Sequence, residues 1–437
     1  MRLGANKRLA LGNMAAKAAS VPLEKACRLV LFAVAARTLG EAAFGRFQFA
    51  DTVAALLLLA TDLGLGIWTT RALARRQARA ATIVGTGLWV RSLAAVPYLA
   101  LVAGAALLVG GGETRGALVL LGIAALAGAY VEYCGAVFRG YERLRDEARL
   151  NVARAALVAV AGLAALWWRR TVVALAAGVM VGAIAAAVAG LTVIRRGYRL
   201  PTPFHGGPFD RRLARAAIRE ALPLWLAGLM SLVYFKGDAV LLRVFAGDAA
   251  VGSYSAAYKI FEATMILPSI ILAASFPALV RAQRDDPARG RRSEWGLGLG
   301  LLSLGGIVGA AVYLSSDLVI GWVFGPAFLN AVPALRLLCL AVPILFLNYG
   351  LTHFLIARSL ERYNLLFTIL LVILNLGTNV VLMPRWGGRG AAFTTVITEV
   401  GLTLCCLITL AGRSRSSVYQ PQPPDAPAAA SRARTSE

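Results

Sequence analysis

The sequence predicts an all-α integral membrane protein of about 12 transmembrane helices arranged as two six-helix bundles. Three observations support this fold class. Hydrophobic residues make up 59% of the 437-residue chain and charged residues only 15%, whereas a soluble protein carries about 25% charged residues. The apolar residues are grouped in segments of about 20, the length that crosses a bilayer as a helix. In addition, one short motif occurs twice, nearly half the chain apart.

The apolar segments divide the chain into two halves joined by a linker. The predicted transmembrane helices cover approximately residues 16–39, 43–66, 82–108, 115–138, 150–168, 171–194, 221–245, 250–280, 296–315, 332–357, 364–383 and 390–412. We therefore expect an amino-terminal lobe (1–194), a basic cytoplasmic linker (195–220), a carboxyl-terminal lobe (221–412) and a tail (413–437). The tail is rich in Pro, Ala and Ser, so we expect it to be disordered.

The repeated motif reads GEAAFGRFQFA from Gly40 and GDAAVGSYSAA from Gly247. Each copy lies where the second helix of its half begins, and the preceding helix runs in the same direction in both halves. This predicts a parallel repeat, with two bundles related by a pseudo-two-fold axis along the membrane normal, as is common in transporters. Its glycines allow a tight turn and a close approach of helices. The alternative is a chance match in apolar sequence rich in Gly and Ala.

The net charge of +23 would suggest a nucleic-acid partner in a soluble protein. Here Lys and Arg instead concentrate in the connections that share a side with the amino terminus. The opposite side receives only Arg37, Arg46, Arg115, Arg169, Arg170, Arg336, Arg385 and Arg389. Because basic residues collect in cytoplasmic loops, we predict that both termini are cytoplasmic and that no nucleic acid is bound.

The linker ends in the amphipathic sequence FDRRLARAAIREAL. Leu213, Ala217 and Leu222 can face apolar surroundings while the arginines between them face water or lipid phosphates. This predicts a short helix lying on the inner leaflet. A solvated basic loop is the alternative.

Charged residues within the apolar segments are the candidate site residues, because a charge at mid-bilayer costs at least about 2.5 kcal/mol and normally faces a cavity or a partner. The candidate cations are Lys25, Arg28, Arg91, Arg154, Lys236 and Lys259, and the candidate carboxylates are Glu24, Asp51, Asp62, Asp238, Glu262 and Glu399. Cations from both halves predict a water-filled cavity suited to an anion such as phosphate or pyrophosphate. The carboxylates would compensate these cations or couple transport to ions.

Two alternatives remain for these charges. Local pairing would make them structural, with the pairs Glu24–Arg28, Asp238–Lys236 and Glu262–Lys259. The second alternative is a multidrug or cation antiporter, whose site would favour carboxylates. The 5 Cys lie in apolar segments without metal-binding spacing, and the chain has no P-loop. We therefore expect no cofactor. A proton or Na⁺ is the candidate coupling ion for the carboxylates.

Four stretches resemble one known family, in the right order and over nearly the whole chain. They are RTLGEAAFGRFQFADTVAALLLLATDLGLGIWTTRALAR, KGDAVLLRVFAGDAAVGSYSAAYKIFE, VIGWVFGPAFLNAVPALRLLCLAVP and NLGTNVVLMPRWGGRGAAFTTVITEV. Together they resemble Wzx-type polysaccharide-export flippases of the multidrug/oligosaccharidyl-lipid/polysaccharide exporter superfamily. In the last stretch, Asn375 and Asn379 lie one turn apart.

The resemblance implies two lobes that form a V around a cationic central cavity. It also implies a substrate, a polyprenyl-pyrophosphate-linked oligosaccharide, that moves from the inner to the outer leaflet of the bacterial cytoplasmic membrane by alternating access. Arg28, Arg91, Lys236 and Lys259 are the positions that would carry the cavity cations. Membrane lipids and a polysaccharide polymerase are the further implied partners. Lipid II flippases of the superfamily have two more helices, which argues against that branch.

A membrane enzyme acting on lipid-linked sugars is the rival of another class. Such an enzyme needs a sizeable loop to hold its acceptor and its catalytic groups. The longest connection on the outer side is about 16 residues, around 315–330, and the chain has only 2 His. We therefore predict a transporter without enzymatic activity.

Overall fold

The structure is a computed structural model that describes residues 2–62, 64–200, 208–360 and 362–412. Over these ranges it contains helices and no strand. The α-helices are Arg2–Asp62 (α1), Leu65–Arg75 (α2), Ala80–Leu108 (α3), Gly112–Gly140 (α4), Leu144–Trp168 (α5), Val172–Gly197 (α6), Arg211–Thr264 (α7), Ile266–Asp285 (α8), Pro287–Leu314 (α9), Ser316–Val323 (α10), Val332–Ala357 (α11), Arg362–Trp386 (α12) and Gly388–Gly412 (α13). Short 3₁₀ segments cover Gln77–Arg79 and Pro326–Ala331. The predicted disordered tail lies outside the described residues.

Helices α1 and α7 are each folded into a hairpin. Gly40 in α1 has φ +78° and Gly247 in α7 has φ +81°, in the left-handed region that favours glycine. The rings of Phe32 and Phe44 lie 6.2 Å apart, although a straight helix would separate these positions by about 18 Å. Likewise, the Tyr254 hydroxyl donates to Asp238 over 3.2 Å. Each copy of the repeated motif therefore begins at a hairpin turn.

With the hairpins counted as two passes each, the described chain crosses a membrane 12 times, as predicted. Within the described ranges, nine segments are long and apolar enough to span a bilayer. One of them, Gly228–Asp285, covers α7 from Gly228 onward together with α8, and α1 is not among them. The amino-terminal half comprises the α1 hairpin and α3 to α6. The carboxyl-terminal half comprises the α7 hairpin, continued by α8, and then α9, α11, α12 and α13. Exposed side chains such as Val96, Leu107 and Ile408 cover the outward faces, as expected in a multi-pass membrane protein.

The two hairpin turns meet face to face. A Cβ atom placed on Gly45 would lie 1.8 Å from the Asp248 carbonyl oxygen, and one on Gly252 would lie 2.0 Å from the Glu41 carbonyl oxygen. The contact is thus reciprocal, as a two-fold relation requires. The repeated sequence marks the place where the two halves touch, which argues against a chance match. We call this end of the molecule the hairpin end.

The segment 315–331 covers the hairpin end and is structured. Ile320, Phe324 and Phe328 are fully buried, and the ring of Phe328 lies 5.9 Å from that of Phe44. Arg37 of the amino-terminal half donates to the carbonyl oxygens of the last turn of α10, over 3.0 Å to the oxygen of Val323. The connection that the sequence indicated only as a loop therefore seals the hairpin end, because its apolar side chains are buried there.

The predicted linker helix is the beginning of α7, and it packs on protein. The Asp210 side chain caps it by accepting from the Arg212 amide over 2.8 Å. Ala214 and Ala217 are buried in one apolar cluster with residues of the amino-terminal half, and Leu213 packs against this cluster. Leu222, the third residue of the predicted apolar face, is 47% exposed. The small alanines allow the close approach of the helix to the amino-terminal half.

We expect Gly45→Ala to destabilise the protein, because its methyl group would overlap the Asp248 carbonyl oxygen. Overpacking of this kind costs about 1–3 kcal/mol. The thermal unfolding midpoint in detergent, followed by size-exclusion chromatography, should fall by several degrees. Gly300→Ala is the matched control, since no atom lies within 4 Å of the added carbon. Equal midpoints for the two variants would contradict the hairpin contact.

Candidate functional site

A cavity of about 390 Å³ lies between the two hairpins. The charged residues that line it are Lys25, Arg28, Asp51, Lys236, Asp238, Lys259 and Glu262. The hairpin end is closed above it, since Phe44 and Val251 are fully buried. Further from the turn, the side chains of Lys25 and Arg28 are 42% and 49% exposed. The cavity therefore opens away from the hairpin end.

Two carboxylates hold four cations in this cavity. Asp51 lies 3.8 Å from Arg28 and 3.7 Å from Lys236, and Glu262 lies 2.9 Å from Lys259 and 3.3 Å from Lys25. Each carboxylate thereby joins one cation of the amino-terminal half to one of the carboxyl-terminal half. Because each carboxylate carries one charge and contacts two cations, the cluster keeps an excess of positive charge. Such a site can bind a multiply charged anion.

The ring of Phe32 lies beneath two of these cations. The Arg28 guanidinium carbon is 5.2 Å from the ring centroid and the Lys259 ammonium nitrogen is 5.4 Å from it, both within the range of cation–π attraction. Phe32 is itself buried. It is not among the residues that line the cavity, so it lies behind the two cations, on the protein side.

Two predicted cavity cations lie elsewhere. Arg91 is buried in the amino-terminal half, 5.6 Å from the Tyr133 ring centroid, and Arg154 pairs with Glu132 over 3.0 Å. Neither lines the cavity. In helices rich in Ala and Gly, apolar residues cover every face, so the sequence pattern does not fix which face turns inward.

The local pairs considered from the sequence are largely replaced by contacts between distant segments. Arg28 pairs with Asp51 rather than with Glu24, and Lys236 also pairs with Asp51 rather than with Asp238. Only the Lys259–Glu262 pair forms as considered. Asp62 is the last residue of α1, and its side chain lies outside the described part of the chain.

Asp238 and Glu399 form a second polar cluster inside the carboxyl-terminal half. Asp238 accepts from Tyr254 over 3.2 Å and from Asn379 over 2.7 Å. Glu399 accepts from Asn348 over 2.7 Å and from Tyr234 over 3.2 Å. The two residues are only 5% and 3% exposed.

A void of about 10 Å³ between the helices is lined by both carboxylates, together with Asn375 and Thr398. It has room for about one particle of the size of a water molecule. Neutral groups supply the hydrogen bonds to both carboxylates, so the cluster can hold a proton or a monovalent cation. The i, i+4 spacing of Asn375 and Asn379 was the sequence signal for this cluster, whereas nothing in the sequence pointed to Asn348 or Tyr234. Within the described ranges, no group of three or more His, Cys, Asp or Glu has the geometry of a metal site.

Comparison with known proteins places the chain in a family. The sequence pattern that describes polysaccharide biosynthesis proteins matches residues 11–283. The chain belongs to this family. A curated relative is the "Probable flippase AglR" of Haloferax volcanii, 28% identical over 206 residues, which are 46% of this chain and 42% of that protein. The match thus spans less than half the length of that relative.

Solved structures share the fold over nearly the whole chain. An inward-facing multidrug resistance MATE family transporter of the MOP superfamily superposes with a TM-score of 0.68 at 16% identity, over 89% of this chain and 96% of the other. The lipid II flippase MurJ gives 0.68 at 13% identity, over 92% and 87%. A MOP superfamily transporter from Pyrococcus furiosus, described as having a binding pocket of reverse polarity, gives 0.64 at 14% identity, over 94% and 95%. At these identities the similarity shows the fold alone.

We expect Asp51→Asn to strengthen anion binding in the cavity, because it removes the carboxylate that competes for Arg28 and Lys236. The dissociation constant for inorganic pyrophosphate, measured by calorimetry on purified protein, should fall about fivefold, as for roughly 1 kcal/mol at a partly solvated ion pair. Asp317→Asn is the matched control, because Asp317 pairs with Arg336 outside the cavity. An unchanged or weaker affinity in Asp51→Asn would show that Asp51 does not oppose anion binding.

Proposed function

We propose that the protein is a flippase that moves a polyprenyl-pyrophosphate-linked oligosaccharide from the inner to the outer leaflet by alternating access. The observation that carries the proposal is the excess of cations in a cavity shared by the two halves. Pyrophosphate is a compact anion that the Arg28 fork and the Lys ammonium groups suit. The family, whose name refers to polysaccharide biosynthesis, and a relative named as a probable flippase support this substrate class.

The distribution of Lys and Arg supports an orientation with both termini in the cytoplasm. The hairpin end then faces outward, and the cavity opens to the cytoplasmic side of the membrane. The pyrophosphate and its sugars enter from the inner leaflet while the lipid chain stays in the bilayer. The cavity cations replace the hydration that the pyrophosphate loses. The hairpin contact then separates as the two halves rock, and the cavity opens outward.

The buried cluster of the carboxyl-terminal half supports ion coupling. Asp238 lines both the main cavity and the small void that it shares with Glu399. A proton or a Na⁺ ion held there would change the charge next to the substrate site. We propose that this ion drives the return of the empty transporter. The chain itself breaks no covalent bond, and a polysaccharide polymerase would consume the delivered substrate.

An ion-coupled multidrug or cation antiporter is the second candidate. The buried carboxylates Asp238 and Glu399 favour it, because they can attract a cationic drug. The two candidates predict opposite results in a strain that lacks the gene. We expect mass spectrometry of its lipids to find an accumulated polyprenyl-pyrophosphate oligosaccharide confined to the inner leaflet. No accumulation together with greater sensitivity to cationic drugs would favour the antiporter.

We expect the double variant Arg28→Gln, Lys236→Gln to lose export of the lipid-linked oligosaccharide, because it removes two cations that face Asp51. Export should fall at least tenfold, measured as surface polysaccharide, while membrane insertion is unchanged by blotting of membrane fractions. Arg154→Gln is the control, because Arg154 does not line the cavity. Normal export by the double variant would refute the role of the cavity cations.

We expect Asp238→Asn to remove the dependence of transport on the ion gradient, because the amide cannot bind a proton or balance Na⁺. Counterflow of substrate across liposomes should persist, whereas uphill transport driven by a pH or Na⁺ gradient should be lost. Asp248→Asn is the control, since Asp248 pairs with Arg243 near the hairpin turn. Gradient-driven transport equal to that of the wild type would exclude Asp238 as the coupling group.

A further inference from the structure

A continuous column of aromatic rings runs from two of the cavity cations to the sealed hairpin end. The ring of Phe32 lies 6.2 Å from those of Phe44 and Phe47, all in edge-to-face contact. Phe44 contacts Phe328 at 5.9 Å, and Phe328 contacts Phe324 at 5.9 Å. All five rings are buried. The column therefore joins the α1 hairpin of one half to the segment 315–331 of the other.

The two ends of this column are in contact with different basic side chains, which bind in different ways. At the cavity, Arg28 and Lys259 lie over Phe32, and they come from different halves of the molecule. At the hairpin end, Arg37 donates to the carbonyl oxygens of Trp322 and Val323, the last turn of α10. A cation at a helix carboxyl terminus is favourable. Arg37 therefore stabilises the last turn of α10 in the closed seal, and the aromatic rings pack on the side of the seal that faces the cavity.

We propose that Phe32 is a positioning residue that couples the cavity cations to the seal at the hairpin end. Arg28 and Lys259 attract the ring and keep it packed against Phe44, which supports the closed seal. An anion that binds in the cavity competes with the ring for the same two cations. Binding of the anion therefore weakens the support of the seal, and the cavity opens at the hairpin end only when it is occupied.

This coupling follows the general rule of linkage. If the contact of the cations with the ring favours the closed seal, then a ligand that withdraws the cations must favour the open one, and opening of the seal must raise the affinity for that ligand by the same factor. The inference rests on the proposed transport function for the identity of the ligand. The coupling between cations and seal is measurable without any ligand, so the two can fail separately.

The test uses a cysteine buried in the seal as a reporter. Ala331, at the end of the 3₁₀ segment, is fully buried, so Ala331→Cys is placed in a background in which the 5 native Cys are Ala. The reporter is labelled with a water-soluble maleimide in detergent, and its rate measures opening. Ser316→Cys, also fully buried in segment 315–331, serves as a second reporter if Ala331→Cys does not fold.

In the absence of ligand, we expect Arg28→Gln, Lys259→Gln to raise the labelling rate about fivefold, as for the loss of two cation–π contacts. Phe32→Leu should raise it similarly, and the cation substitutions should add nothing in that background. Phe47→Leu is the packing control, because Phe47 belongs to the same column. In that variant the cation substitutions should keep their full effect. Full additivity with Phe32→Leu would overturn the proposal.

The charge control is Lys25→Gln, Lys236→Gln. This pair removes the same number of cations from the same two carboxylates, but the cations that lie over Phe32 remain. We expect the effect of this pair on the labelling rate to be the same with Phe32→Leu as without it, because neither cation lies over the ring. An effect that disappears in the Phe32→Leu background would show that the seal responds to net charge and not to the contact with the ring.

A last comparison adds farnesyl pyrophosphate as the probe. It should raise the labelling rate of the reporter protein and leave that of the Phe32→Leu variant unchanged. The probe could leave the labelling rate of the reporter protein unchanged while the cation substitutions remain non-additive with Phe32→Leu. In that case the proposed substrate class fails and the coupling through Phe32 stands. If the probe raises both rates equally, the substrate class stands and the coupling through Phe32 is refuted.

Discussion

The close contact between the two hairpin turns is the constraint on which the rest of this structure depends. Gly45 and Gly252 approach the carbonyl oxygens of the opposite turn so closely that no side chain fits between them. This contact joins the two halves at the hairpin end, where the seal lies. The beginning of α7 packs on the amino-terminal half as a second contact, far from the hairpin turns. The cavity lies between the two hairpins, and Lys25 and Arg28 at its far side keep contact with solvent.

The two halves share the repeated motif, but matching positions carry different side chains that make different contacts. With Gly40 aligned on Gly247, Phe47 corresponds to Tyr254 and Leu31 corresponds to Asp238. In the amino-terminal half the ring of Phe47 packs against Phe32 within the seal. In the carboxyl-terminal half the ring of Tyr254 carries a hydroxyl that donates to Asp238. One hairpin therefore supplies the apolar closure, and the other supplies the buried carboxylate.

The charged side chains at the open side of the cavity remain accessible to solvent. An ion pair isolated in an apolar core must repay a large desolvation cost, but Lys25 and Arg28 keep contact with solvent. Asp51 and Glu262 each contact cations of both halves, so relative movement of the halves must rearrange these contacts. A cavity built in this way has an excess of cations, and its ion pairs join the two halves.

Much of this protein was determined by its sequence alone. The apolar segments predicted twelve passes, because a helix satisfies its own backbone hydrogen bonds inside a bilayer. The two passes of α1 are the exception, since α1 is not among the described segments that are long and apolar enough to span. The repeated glycines determined the hairpin turns and the parallel arrangement of the halves. The residue types also predicted a cavity lined by cations of both halves, and four of the six candidate cations do line the cavity.

Only the tertiary structure decided which charges meet. Arg28 and Asp51, or Lys25 and Glu262, come together across hairpins and across halves, at separations that no helical period connects. Arg91 and Arg154 have the same local character and turn elsewhere, because helix rotation depends on packing against neighbours that the local pattern does not reveal. The ring of Phe32 beneath two cations and the seal formed by segment 315–331 were decided in the same way. Composition and spacing set what each helix carries, and packing in three dimensions sets what each side chain touches.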